Sequence, residues 1–171
     1  MAGRIVVAWS SRTGNTRRIA EGVASALPGP ELLPAAELAS VPEGSAFFCG
    51  FWVDKGEVSE DALRLLRRTR GVPVFLFGTM GGNPGDERSR AFLAKKLAEL
   101  REEGVRVESL RMFQGRIDPA VIERMNRTQP MTEERRARLE EAARHPDEAD
   151  FEAARAWARD CFEGVGEKRS A

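Results

Sequence analysis

The stretch Ser10-Ser11-Arg12-Thr13-Gly14-Asn15-Thr16 limits what this chain can fold into more than any other. The run Arg4-Ile5-Val6-Val7-Ala8-Trp9 leads into it, and the helical pattern Thr16 to Ala24 leads out. A short buried strand, a hydroxyl-rich turn and a helix start, in direct succession, make an anion site. The first N–H groups of a helix lack intrahelical acceptors and carry the positive end of its dipole. Hydroxyls at Ser10, Ser11, Thr13 and Thr16 add donors, and Gly14 lets the backbone come close to a ligand. Arg12 is the only cation of the loop. Neutral donors of this kind suit a phosphate monoester better than a nucleoside triphosphate held on magnesium. Neither Gly-x-x-x-x-Gly-Lys-Ser/Thr nor Gly-x-Gly-x-x-Gly occurs. The alternative is a polar turn that binds nothing.

The rest of the chain alternates strands with helices. Ile19, Ala20, Val23, Ala24 and Leu27 recur at helical spacing until Pro28-Gly29-Pro30 stops the first helix. Glu31-Leu32-Leu33 reads as a short strand, and Ala46-Phe47-Phe48-Cys49-Gly50-Phe51 as one buried on both faces. Ser59 caps a helix whose buried stripe is Ala62, Leu65 and Leu66. Val72 to Gly78 is the central strand, followed by the glycine-rich loop Thr79–Gly85 and a helix from Asp86 to Gly104. Val105–Phe113 reads as a fifth strand, with a bulge or bend at Leu110. Asp118-Pro119 opens a helix, and Thr132–Arg144 reads as a charged, solvated surface helix. Asp147 caps a last helix with the stripe Phe151, Ala154, Ala158, Cys161 and Phe162. Residues 1–164 are expected to form a single domain and 165–171 a disordered tail. The pattern predicts an α/β fold: a doubly wound, five-stranded parallel sheet with helices on both faces, a three-layer sandwich. Ligands of such sheets bind beyond the carboxyl ends of the strands, where the strand order reverses. The loops Ser10–Thr16, Gly50–Gly56 and Thr79–Gly85 should therefore crowd onto one edge.

Ser11-Arg12-Thr13-Gly14-Asn15-Thr16 fits Ser/Thr-x-Thr-Gly-x-Thr, the phosphate loop of flavodoxins, at every fixed position, and the chain resembles that family. The order of elements resembles it from Arg4 to about Phe113. The resemblance implies FMN as cofactor, with its ribityl phosphate on Ser10, Ser11, Arg12, Thr13, Gly14, Asn15 and Thr16. It places Phe51, Trp52 and Val53 where flavodoxins set an aromatic against the flavin ring. Trp52 offers the stacking face, the alternative being an indole folded over the core. The backbone of Thr79, Met80, Gly81, Gly82 and Asn83 would serve the pyrimidine edge. By the same resemblance a glycine there lets a peptide flip and hydrogen-bond a protonated flavin N5. The chain has no tyrosine, so the second stacked face common in flavodoxins is missing, and Met80 or a partner would have to cover the ring. Gln114-Gly115-Arg116 follows the fifth strand and points to the same edge, where Gln114 would contact the cofactor and, with Arg116, an acidic substrate or a partner; the alternative is a simple turn. Gly50–Gly56 and Gln114–Asp118 are similar to a flavodoxin subgroup associated with bilin-reducing enzymes of anaerobic bacteria.

Composition removes other classes. Lys and Arg number 27 against 27 Asp and Glu, so no bulk charge draws the chain to nucleic acid or membrane, and it departs from the acidity of many flavodoxins. No apolar run is long enough to span a bilayer and no secretory signal is visible, so a cytoplasmic location is expected. Cys49, Cys161 and the single His145 are too scattered for a zinc site or a nucleophile–histidine hydrolase, and no metal site or catalytic residue is expected. Any chemistry is then the cofactor's. The expected function is an electron carrier shuttling between a reductase donor and an acceptor enzyme, a bilin reductase by the subgroup resemblance. The alternative is an FMN oxidoreductase with its own quinone, protoporphyrinogen or bilin-type substrate, shaped by the helices after Gln114. A flavin-free binding module would leave no physical demand for four hydroxyls and a glycine.

Overall fold

The computed structural model describes residues 3–171. In chain order the elements are β1 (Ile5–Trp9), α1 (Asn15–Ser25), β2 (Glu31–Pro34), β3 (Ala46–Asp54), β4 (Glu57–Val58), α2 (Glu60–Arg68), β5 (Pro73–Met80), α3 (Glu87–Glu102), β6 (Arg106–Gln114), α4 (Pro119–Asn126), α5 (Glu133–Ala143) and α6 (Glu148–Ser170). Five strands pair in parallel in the order β2-β1-β3-β5-β6. The chain steps outward from β1 to β2 and then returns to the other side of β1, so the strand order reverses between β1 and β3. The expected doubly wound sheet is therefore present.

Alternation along the buried strands sorts the core into two layers. Phe47, Cys49 and Phe51 of β3 join Val74 and Leu76 of β5 on one face, beneath Ala62, Leu65 and Leu66 of α2 and Leu100 of α3. Phe48, Phe75 and Phe77 lie on the other face against Ile19 and Val23 of α1 and Ala154 and Ala158 of α6. Burying both faces is what makes β3 and β5 read as unbroken apolar runs. Trp157 of α6 meets Phe48 edge-on at 5.8 Å and donates its indole N–H to Ser109 Oγ at 3.0 Å, fixing α6 across β6. No helix among the described residues is long and apolar enough to cross a membrane.

Four features differ from the sequence-based expectation. β3 continues through Trp52 and Val53 to Asp54 and turns back into the short antiparallel β4, adding a strand to the five expected. Lys55 and Gly56, with φ 48° and 78°, form the tight turn whose twist suits such a hairpin. The irregularity in β6 lies at Glu108, because Val74 pairs with Val107 while Phe75 pairs with Ser109, and Leu110 pairs normally with Leu76. The last helix does not stop at Gly164 but runs to Ser170. Val165 packs on the core layer, Lys168 pairs with Glu108 at 2.8 Å, and Arg169 donates to the Gly44 carbonyl. These contacts offset the helix-weakening glycines at 164 and 166 that made the segment read as a tail. Finally, α5 is not a freely solvated helix: Arg135 and Ala142 are buried.

Candidate functional site

At the carboxyl edge of the sheet, β1, β3 and β5 deliver their three loops side by side around a cleft of about 700 Å³. The floor is tied together by Thr16, which is fully buried. Its hydroxyl lies 2.8 Å from Thr79 Oγ1 and donates to the Phe51 carbonyl at 3.3 Å, joining the first helix to the ends of β3 and β5. Thr16 is thus engaged in holding the loops together. Gly50 makes the approach possible: a Cβ there would collide with the Phe77 ring and lie 3.0 Å from Thr16 Cγ2.

The first turn of α1 is bare. Gly14, at φ 94°, occupies the cap position, no side chain caps the helix, and no acidic residue lies in its first turn. The other five α-helices each carry a side-chain cap or an acidic first turn. Ser11 Oγ accepts from Gly14 N–H at 3.1 Å, which leaves its own O–H free to donate. Thr13 is exposed, and Asn15 donates its side-chain N–H to the Arg116 carbonyl at 2.8 Å. Unpaired helix N–H groups flanked by hydroxyl donors make a cradle for a phosphate monoester.

The β3–β4 hairpin forms one wall. Alternation along the strand puts Phe51 in the core, 3 % exposed, and leaves Trp52 half-buried on the cleft. The Ser59 N–H donates to the Trp52 carbonyl at 2.9 Å, and Ser59 Oγ accepts from the Trp52 N–H at 3.3 Å. Lys96 of α3 reaches Glu57 at 2.7 Å, which holds the hairpin to the body and raises the lysine's pKa. Arg12 stands 6.0 Å from the Trp52 ring centroid and 3.7 Å from Asp118, so its guanidinium bridges the phosphate loop, the indole and the start of α4.

Opposite, the end of β5 and the β5–α3 loop present Thr79, Met80, Gly81 and Gly82. The carbonyls of Met80 and Gly81 accept from Gly115 N–H at 2.8 Å and Gln114 Nε2 at 3.3 Å, while the Gly81–Asn83 N–H groups bond to none of the described residues. The loop therefore offers chiefly donors. The cleft continues past Gly81 and Gly82 into a second lobe of about 600 Å³, where Asn83 and Gln114 lie.

Of the residues expected at the site, Ser11, Arg12, Thr13, Asn15, Thr16, Trp52, Val53, Thr79, Met80, Gly81 and Gly82 share one cleft. Gly14 supplies the turn, and Asn83 and Gln114 belong to the adjoining lobe. Ser10 and Phe51 differ from the expected placement on the cleft wall: both are buried, Ser10 donating its N–H to the Gly50 carbonyl and Phe51 packing in the core.

The outer wall consists of residues that sequence reasoning did not assign to the site. Ile117, Val121 and Met125 follow one another at four-residue spacing along α4 and its approach, and Leu139 joins them from α5. Ile117 lies over the glycine-rich β5–α3 loop, since a Cβ at Gly81 would be 2.6 Å from Ile117 Cγ1. The 117, 121, 125 spacing was the available signal. The charge of the wall is one-sided: Arg12, Lys55, Arg88, Arg116, Arg124, Arg135 and Arg138 border the cleft against Asp54 and Asp118.

Both thiols lie away from this edge. Burial pushes Cys49 up to about 12 and Cys161 to about 11, which leaves them protonated packing groups.

The family model described as "Flavodoxin domain" matches residues 6–159. The flavodoxin-like domain-containing protein BilS of Clostridium symbiosum (strain WAL-14163) is 29 % identical over 174 residues, covering 88 % of this chain and 91 % of that protein. BilS of Clostridioides difficile (strain CD3) is 26 % identical over 162 residues, covering 85 % of this chain and 89 % of its own length. The crystal structure of oxidised Flavodoxin 2 from Bacillus cereus superposes with a TM-score of 0.53 at 17 % identity, covering 95 % of this chain and 99 % of that one.

Proposed function

The chain belongs to the flavodoxin family, and we propose that it is an FMN-bound electron carrier serving a reductase that loads it and an acceptor enzyme of the bilin-reducing type. FMN is its cofactor. The observation that carries the reading is the bare, acid-free start of α1 beside free hydroxyls, at the point of the sheet where strand order reverses. Bound FMN accepts a pair of electrons and releases them singly. The residues supply everything else. Ser11, Thr13 and the first N–H groups of α1 would hold the phosphate, with Arg12 as counter-charge. Trp52 would lie against the ring, Met80 and Ile117 would keep water from it, and the Gly81–Asn83 N–H groups would donate to its polar edge. The acceptor assignment rests on the BilS likeness and on the subgroup resemblance of Gly50–Gly56 and Gln114–Asp118.

A second reading, an FMN oxidoreductase with its own substrate, is favoured by one observation: α4 and α5 wall a cleft that continues into a second lobe. The first test is the visible spectrum of the purified protein, followed by FMN titration and stepwise reduction with dithionite. Flavin absorbance that stays with the protein through gel filtration is expected; a colourless protein that leaves FMN free refutes both readings. Steady turnover of NAD(P)H with a quinone by the protein alone would select the second.

A further inference from the structure

One charged group in the cleft wall is buried without a counterpart among the described residues. Arg135 of α5 is 8 % exposed. Its Nη1 donates to the Gln129 carbonyl at 3.1 Å, but its Nη2 is buried without a hydrogen-bond partner, and no carboxylate lies within ion-pair distance among the described residues. A buried, unpaired charge is costly, and a guanidinium cannot relieve the cost by losing its proton. Arg124 and Arg138 border the same cleft, also without ion-pair partners among the described residues. The missing partner is therefore an anion.

We propose that Arg135, supported by Arg124 and Arg138, binds the carboxylate of a second small molecule, an organic acid with an apolar body lying between the flavin and the α4–α5 wall. This rests on the FMN reading above. The phosphate cradle has its own donors at Ser11–Thr16. The helix that carries Arg135 reaches further: Arg138 borders both lobes together with Val53, Met80, Gly81 and Gly82, whereas the cradle residues Ser11–Thr16 border the first lobe alone. The apolar body is called for by Val121, Met125 and Leu139, which share the wall with the arginines. A carboxylate that the guanidinium meets by turning toward the cleft supplies the charge-assisted hydrogen bond that Nη2 lacks.

The test uses the FMN-loaded protein with 2-naphthoate as probe and uncharged 2-naphthol as control, followed through the flavin bands and by equilibrium dialysis. Naphthoate should bind the wild type and weaken about tenfold or more in Arg135→Gln, the loss of one charge-assisted hydrogen bond. Naphthol should change less than twofold, and Arg135→Lys should fall between. The exposed Arg124→Gln, which leaves the buried charge in place, should weaken naphthoate at least threefold and gives an answer even where Arg135→Gln does not fold. Equal naphthoate affinity in wild type and both Gln variants, or no naphthoate binding, overturns the proposal. So does an Arg135→Gln that weakens FMN while sparing riboflavin, since the anion would then be the cofactor's phosphate. A glutamate-rich peptide that binds through Arg135 while naphthoate does not overturns it in favour of an acidic partner segment. Failure to take up FMN refutes the flavin reading instead; naphthoate dialysed against the flavin-free protein then decides on Arg135 by itself.

Discussion

At the residue scale, the cleft depends on two positions in and beneath its floor. The Thr16 hydroxyl satisfies Thr79 and the Phe51 carbonyl in a site with no water access, since Thr16 is 0 % exposed. Thr16→Val keeps the shape and removes that bridge, leaving buried polar atoms unpaired at a cost of about 1–3 kcal/mol. Urea unfolding should show the loss as a lower midpoint with an unchanged slope; an unchanged midpoint would mean that the three loops are held by packing alone. Gly50 fails in the opposite direction. Gly50→Ala forces the Phe77 ring and Thr16 apart, and overpacking of this kind costs about 1–3 kcal/mol. Because the displaced groups are the floor of the cleft, FMN affinity should fall together with stability. A variant that lost stability but bound FMN as tightly as the wild type would show that the floor and the phosphate cradle are independent.

At the scale of elements, α6 ties the last part of the chain to the sheet, and its two ends make separate predictions. At its start, Asp147 and Asp150 form a reciprocal cap, and Asp150 also lies 2.6 Å from His145 Nδ1, while Glu141 of α5 lies 3.2 Å from Nε2. The hydrogen bond to Asp150 is the main reason that the His145 pKa is raised, with Glu141 and Asp147 adding to it. A folded-state pKa above the unfolded value, about 6.5, gives stability that is complete below that pH and is lost as pH rises through the folded pKa. The melting temperature of the wild type relative to His145→Gln should therefore shrink from acid to alkaline pH, and a difference constant across that window would dismiss the ion pair. At the other end, a chain stopped after Gly164 loses Val165 and the bonds of Lys168 and Arg169, and should melt lower by roughly 2–4 °C, the shift about 1 kcal/mol produces in a chain of this size. An unaltered melt would restore the reading of this segment as a tail. The contrast with α5 explains what the sequence disclosed. Ile19–Val23 and Phe151–Ala158 are apolar at helical spacing, so their burial was legible. The inward stripe of α5 is Arg135, Leu139 and Ala142, and a stripe that begins with an arginine reads as solvated surface. The hairpin was hidden for a related reason: Trp52 and Val53 continue the strand, but the apolar run that marks it breaks at Asp54-Lys55.

At the scale of the whole molecule, a chain with equal numbers of acidic and basic residues sets seven cations against two carboxylates around one cleft. The acidic side chains are spent elsewhere, on pairs such as Arg67–Glu103, Lys96–Glu57 and Arg155–Glu148, leaving Arg88, Arg116, Arg124, Arg135 and Arg138 on the cleft without ion-pair partners among the described residues. Net charge is thus a poor guide to the field a ligand meets. A cleft with low-dielectric walls and one sign of charge focuses its potential outward and draws anions in, and salt screens that attraction over about 10 Å at 0.1 M. FMN and riboflavin share the ring and differ in the phosphate, so their association rates separate this field from stacking on Trp52. Stopped-flow quenching of flavin fluorescence should show FMN associating several-fold more slowly at 300 mM salt than at 10 mM, while riboflavin, which carries no charge, keeps its rate. Equal salt dependence for the two would place the effect in the protein's conformation rather than its charge. If FMN alone responds and Arg124→Gln with Arg138→Gln flattens the response, the outer wall acts at a distance on whatever anion approaches, the cofactor first and its acidic companion after it.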